Sequence, residues 1–170
     1  CRMAFAEALT NIAAADIEVP TVKFSANWMA SCGSAGEDAK LFDAVKATSE
    51  FCRKLGVSIP VGKDSCSMKT GWTDEKGEAK SVTSPISMIA SASGPVGDIR
   101  LTLTPQLRPD VASKLIAVDL SEGRDRLGGS ILAQVIQSFG NEAPDIEEPG
   151  RILAFVKAVR SLAAEGRILA

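Results

Sequence analysis

Val57-Ser-Ile-Pro-Val61 runs directly into Gly62-Lys-Asp-Ser-Cys-Ser-Met-Lys69, so a short apolar stretch ends in one glycine, two lysines, an aspartate and two serines. That is the composition of a phosphate site. A glycine lets backbone amides approach an anion, a lysine brings positive charge, serine hydroxyls donate, and an aspartate can hold the magnesium that accompanies a polyphosphate. A Walker A loop does not fit: Gly56 lies one residue too far back and Asp64 stands where Ser or Thr belongs. The plain alternative is a polar surface turn that closes a strand.

Working outward, the residues before this run read as a helix from about Glu37 to Leu55. Leu41, Phe42, Val45, Thr48, Cys52 and Leu55 fall at helical spacing, Glu37 and Asp38 suit the positive end, and Gly56 supplies the stop. Ahead of it, Thr21-Val-Lys-Phe-Ser25 alternates as a strand does, leading through Asn27 to the loop Ser31–Gly36. Strand, helix, strand is the order of an α/β (α+β) layer. On the other side, Ser67–Trp72 and Ser81–Ser93 flank a Lys76-Gly77 turn and predict a hairpin.

Leu101–Thr104 reads as a further strand, and Pro105 to Ser113 as a boundary. Lys114–Leu120 then predicts a buried strand, Ser130–Phe139 a helix, Asn141–Pro149 an acidic connection, and Gly150–Glu165 a last amphipathic helix. The division expected is 1–108 for a first domain and 109–170 for a second. The apolar run that starts at Arg167 and stops at Ala170 suggests a second domain cut short.

Charge and composition narrow the function. With 19 basic against 21 acidic residues there is no basic field for nucleic acid, and six Phe, two Trp and no Tyr weaken base stacking. No apolar run approaches the roughly 20 residues of a membrane span. The chain opens at Cys1 without a charged-then-apolar leader, so a cytoplasmic protein is expected. Cys1, Cys32, Cys52 and Cys66 show no paired spacing and read as reduced thiols. Histidine is absent, so acid–base chemistry falls to carboxylates, lysine, or residues elsewhere in a larger protein.

Met3 to Ala15 predicts a helix apolar on nearly every side, hence buried. Glu7 and Asn11 stand four apart on one face of it. Two hard oxygen ligands one turn apart suit magnesium, which takes few protein ligands besides phosphate and water. The alternative is a solvent-facing strip.

Three blocks fit one family: Ala6-Glu-Ala-Leu-Thr-Asn11; Ser25-Ala-Asn-Trp-Met29 with Gly36-Glu-Asp38 and Leu41-Phe-Asp-Ala-Val45; and Ile59-Pro-Val-Gly-Lys-Asp-Ser-Cys-Ser-Met-Lys-Thr70. They closely resemble the large-type phosphoribosylformylglycinamidine synthase family, and Thr102–Gln106 and Leu127–Gln134 extend the resemblance over essentially the whole chain. The resemblance implies a PurM-like (aminoimidazole ribonucleotide synthetase-like) fold in which an N-terminal α/β domain precedes a C-terminal α/β domain, here part of the second such half of a longer protein that also carries a glutaminase domain. It implies Glu7 and Asn11 as Mg2+ ligands at a nucleotide (ATP/ADP) site, with Asp64 also near a metal. It further implies Asn27, Lys63, Asp64, Ser65 and Ser67 as contacts for ATP and formylglycinamide ribonucleotide. The activity implied is an ATP-dependent C–N ligase that makes the amidine with ammonia from glutamine. A non-catalytic half that only holds a nucleotide is the other expectation.

Overall fold

The computed structural model describes residues 1–170. In chain order it comprises α1 (Arg2–Ile12), β1 (Lys23–Met29), α2 (Glu37–Leu55), β2 (Ser58–Ser65), β3 (Lys69–Thr73), β4 (Ala79–Thr83), β5 (Ser87–Ser93), α3 (Ile131–Val135) and α4 (Pro149–Ala164), with single 3-10 turns at Val19–Thr21 and Ile99–Leu101. This is the mixed α/β architecture expected, and helix α2 is the crossover that parallel neighbours β1 and β2 require. β1 is the middle strand of three, in the order β2-β1-β5, and runs antiparallel to β5. β2 is therefore an edge, which is where Pro60, lacking a backbone donor, can be accommodated.

Alternation along β1 decides which face is covered. Val22, Phe24 and Ala26 are buried, whereas Lys23 is exposed and Ser25 and Asn27 are only half-buried. The buried side meets α1 through Phe5, whose ring lies 4.9 Å from that of Phe24 at an interplanar angle of 59°. Helix α2 adds Phe51, Cys52 and Leu55 to the same cluster, and α4 adds Ile152 and Val156. The last helix thus shares one core with the sheet rather than building its own.

Local signals explain the ends of α2. Asp38 near its start accepts from Gly33 N at 3.1 Å. At its C-terminus Gly56 adopts φ +71°, a conformation open to glycine, so that Val57 N can reach back to Cys52 O at 3.1 Å. The expected apolar stripe is covered only in its second half, since Phe42 is 67% exposed. Likewise α1 buries one face, Phe5, Ala6 and Leu9, and leaves Met3, Glu7 and Asn11 exposed, which corrects the expectation of a helix buried all round.

The structure revises five more expectations. The strand expected to stop at Val61 continues as β2 to Ser65, so Gly62, Lys63, Asp64 and Ser65 belong to a strand and not to a loop. The hairpin is β3 with β4, joined by a turn in which Asp74 Oδ1 accepts from Lys76 N and Glu78 N at 3.0 and 2.9 Å. The run expected as its second arm is interrupted at Pro85, which cannot donate to a ladder, and resumes as β5 in the central sheet. Leu101–Thr104 forms no strand; a 3-10 turn and Leu103 N donating to Ala14 O at 2.8 Å hold it instead.

Lys114–Leu120 is neither strand nor buried: Leu115 and Ile116 are 85% and 83% exposed. A strand is stabilised by a hydrogen-bonded neighbour, and no strand of this chain lies beside these residues. The helix expected over 130–139 shrinks to α3, capped by Ser130 Oγ accepting from Ala133 N at 3.1 Å. It ends before Gln137, which has φ +55°.

Candidate functional site

β1 and β2 run parallel, and their carboxyl ends lie side by side. Asn27 is paired with Lys63, Trp28 with Asp64, and Met29 with Ser65. Paired residues of adjacent strands share a face, and successive residues alternate between faces. The structure therefore brings Asn27, Lys63 and Ser65 together on the face away from the core helices, where Lys63 Nζ lies 3.4 Å from Ser65 Oγ. Lys63 has no carboxylate partner, so its charge is available to an anion. In open α/β sheets ligands bind beyond the carboxyl ends of parallel strands, which is where this trio stands.

Asp64 points to the other face, with Trp28. There a cleft of ≈ 310 Å³ is lined by Trp28, Leu41, Val45, Gly62 and Asp64, and Lys63, which lies between the last two in the strand, also contributes to its lining although its ammonium reaches Ser65 on the opposite face. Gly62 floors it beneath the indole: a Cβ at this position would sit 3.6 Å from Trp28 Cζ3. Asp64 makes no ion pair, and its Oδ2 accepts from the Cys66 thiol at 3.5 Å. Contact with the Cys32 thiol, then loss of water, then the hydrogen bond to Asp64 push the Cys66 thiol up to about 11, so it stays protonated at neutral pH. Ser67 lies two residues beyond β2, exposed and bridged to Ser31.

The α1 residues occupy a different place. Glu7 lines a cleft of ≈ 630 Å³ between α1 and segments 118–127 and 144–146, together with Asp119, Arg124, Asp125, Arg126 and Asp145. Asn11, one turn on, is exposed on the same helix face. Most charges in this cleft are already engaged. Asp119 accepts from Ser121 Oγ and N at 2.6 and 2.7 Å and from Gly123 N at 2.7 Å, and these bonds, that from the Ser121 side chain foremost, hold its carboxyl below the usual range. Asp145 is held low chiefly by Arg2, while Arg126 donates to Glu147 at 2.6 Å.

Glu7 has no cationic partner, and no three acidic or thiol groups converge to form a metal cage. An exposed, unpaired carboxylate with an amide one turn away, at the edge of a cleft whose lining is largely apolar but carries several charged groups, fits Mg2+ held by few protein ligands. It does not fit a metal held by protein alone. Glu7 and Asp64 line separate clefts, so the three residues expected to meet metal form two groups.

Sequence reasoning missed Trp28, Leu41 and Val45 as the wall beside Asp64, although Gly62 and Ala26, paired below the indole, are a signal for a large ring over small neighbours. It also missed Asp119 and Arg124 opposite Glu7, which no local spacing announces because they arrive from over a hundred residues away. No helix is long and apolar enough to cross a membrane.

The stretch that builds this sheet, with α1, α2 and the β1–β2 trio, coincides with a known domain. The family described as FGAR-AT PurM_N-like domain matches residues 1–95. That match spans more than half of the 170 residues and contains Glu7, Asn11, Asn27 and the run Lys63–Ser67, and on it the chain belongs to the FGAR-AT PurM_N-like domain family.

Proposed function

We propose that this chain is a segment of a phosphoribosylformylglycinamidine synthase, the ATP- and glutamine-dependent ligase of purine synthesis, acting in the cytoplasm. In this reading residues 1–108 form the first domain and 109–170 part of the next, and the remaining domains, the glutaminase among them, come from the rest of the protein. The observation that supports it best is the grouping of Asn27, Lys63 and Ser65 on one face at the carboxyl ends of two parallel strands, within the residues that match the family.

The chemistry begins with ATP phosphorylating the amide oxygen of formylglycinamide ribonucleotide, which converts that oxygen into a leaving group. Ammonia released from glutamine adds to the carbon, and phosphate departs to leave the amidine. Lys63 places an unpaired ammonium where charge grows on the transferring phosphoryl group. Ser65 and Ser67 donate hydroxyls to a substrate phosphate, and Asn27 presents an amide beside Lys63. Asp64 works from the far face of the same strand end, through the Trp28 cleft. Glu7 and Asn11 would hold Mg2+, which would offset the charge of a nucleotide diphosphate.

A second reading, a half that only stores a nucleotide, draws on the separation of the Glu7 and Asp64 clefts. Two variants of the full-length protein separate the readings. Asp64→Ala should abolish ATP-dependent turnover while leaving ADP retention intact, and Glu7→Ala should release ADP and magnesium. Normal turnover in Asp64→Ala removes that residue from the reaction, and unchanged retention in Glu7→Ala removes the ligand pair.

A further inference from the structure

Cys32 and Cys66 oppose one another across a short antiparallel contact between the loop after β1 and the end of β2. Ser31 and Ser67 form the bridge, Met68 N donates to Ala30 O at 3.1 Å, and Cys32 N donates to Cys66 O at 2.9 Å. The next opposed pair outward from that bridge is Cys32 with Cys66, on one face. Directly opposed residues of such a pair stand about 4.5–5.5 Å apart at Cα, inside the roughly 4.4–6.8 Å that a disulfide spans. Both residues are exposed and unbridged.

We propose that Cys32 and Cys66 form a reversible disulfide site, closed by exchange with a low-molecular-weight disulfide. The Cys32 thiol loses a proton to solvent, and its thiolate attacks one sulfur of the external disulfide, breaking that bond and expelling one small thiolate. Cys66 then gives up its proton, attacks Cys32 Sγ in the mixed disulfide, and expels the second small thiolate. The two protons pass to the two released thiolates. Two electrons leave the protein pair and reduce the external disulfide.

Closing the bond ties the loop carrying Gly33 and Gly36 to the end of β2 and takes away the thiol that donates to Asp64. Of the other two cysteines one is buried and the other, Cys1, is exposed and is removed in the Cys1→Ser variant. Cys52 is buried, with burial pushing its thiol up to about 11, and Cys1 lies at the chain start.

The test uses the whole 170-residue chain as Cys1→Ser, incubated with glutathione disulfide and assayed without denaturant with an aromatic disulfide reagent. The two exposed thiols that react beforehand should fall to none. Peptide mapping should join the segments carrying Cys32 and Cys66, no glutathione mass should remain, and dithiothreitol should restore both thiols. In the added variant Cys66→Ser, glutathione should stay attached to Cys32 because nothing expels it. Two thiols still reacting after incubation, or stable glutathione on either cysteine while both are present, overturns the proposal.

Discussion

Replacing Phe24 by Ala removes the ring at the centre of the contact between sheet and helices. Phe24 is 1% exposed and stacks at a tilt on Phe5, itself fully buried. Truncating a buried Phe to Ala costs about 3–5 kcal/mol, of which a tilted aromatic pair accounts for about 0.5–1.5 kcal/mol. Against a total stability on the order of 5–15 kcal/mol, that is a large share. For a chain of this size it lowers the melting midpoint by about 6–20 °C, at roughly 2–4 °C per kcal/mol. Urea unfolding of wild type, Phe24→Ala and Phe42→Ala reads the difference directly, and an unchanged slope shows that stability alone has moved. Phe42 is the control, since at 67% exposure its loss should stay within about 0.5 kcal/mol. A Phe24→Ala midpoint equal to wild type, or an equal loss in both variants, would refute the placement of the core on this face of β1.

Two further outcomes follow from contacts outside the sheet. A Cβ on Gly97 would lie 2.7 Å from Asp16 Oδ2, and Asp16 cannot easily retreat because Arg160 and Asp98 N both hold it. Gly97→Ala should thus destabilise by about 1–3 kcal/mol in urea unfolding, and wild-type stability would contradict the tight approach. The Asp145 carboxyl is held below the usual range first of all by Arg2, whose Nε donates to it at 2.9 Å. A depressed folded pKa means the pair stabilises fully above the ordinary carboxylate value of 3.8 and loses that contribution as pH falls toward the depressed one. The stability gap between wild type and Arg2→Ala should therefore be widest near neutrality and narrow below about pH 4. A gap that stays constant into acid would show that the pair carries no linked charge.

The parts of the fold legible in the sequence are those fixed locally. Helix α2 is bounded by its acidic first turn and by Gly56, and β1 and β2 by short alternating or apolar runs, so their order could be read without partners. The segment 114–120 shows the limit. Its apolar, β-prone residues resemble a core strand, but strandhood depends on a neighbour that spacing cannot supply. β5 was hidden for a similar reason, since nothing in Ser87–Ser93 tells that it pairs with β1 and not with β3.

The site divides the same way. Lys63, Asp64 and Ser65 could be picked out by residue type, and Asn27 as an amide just past the strand expected over Thr21–Ser25, although β1 in fact runs through it to Met29. That Lys63 and Asp64 face opposite sides follows only once β2 is seen to continue through Ser65, since a loop imposes no alternation. The contact between Cys32 and Cys66 needs the bridge between Ser31 and Ser67, which joins residues far apart in the chain.

The unpaired Lys63 ammonium stands beside Asn27 and Ser65, and we propose that it meets the phosphoryl group of ATP. Steady-state turnover of the full-length protein with Lys63→Ala, at saturating glutamine and varied ATP, tests it most directly. Losing one preorganised donor to the transferring group should lower kcat by about 10²–10³-fold with the fold retained. A kcat within twofold of wild type would contradict the account.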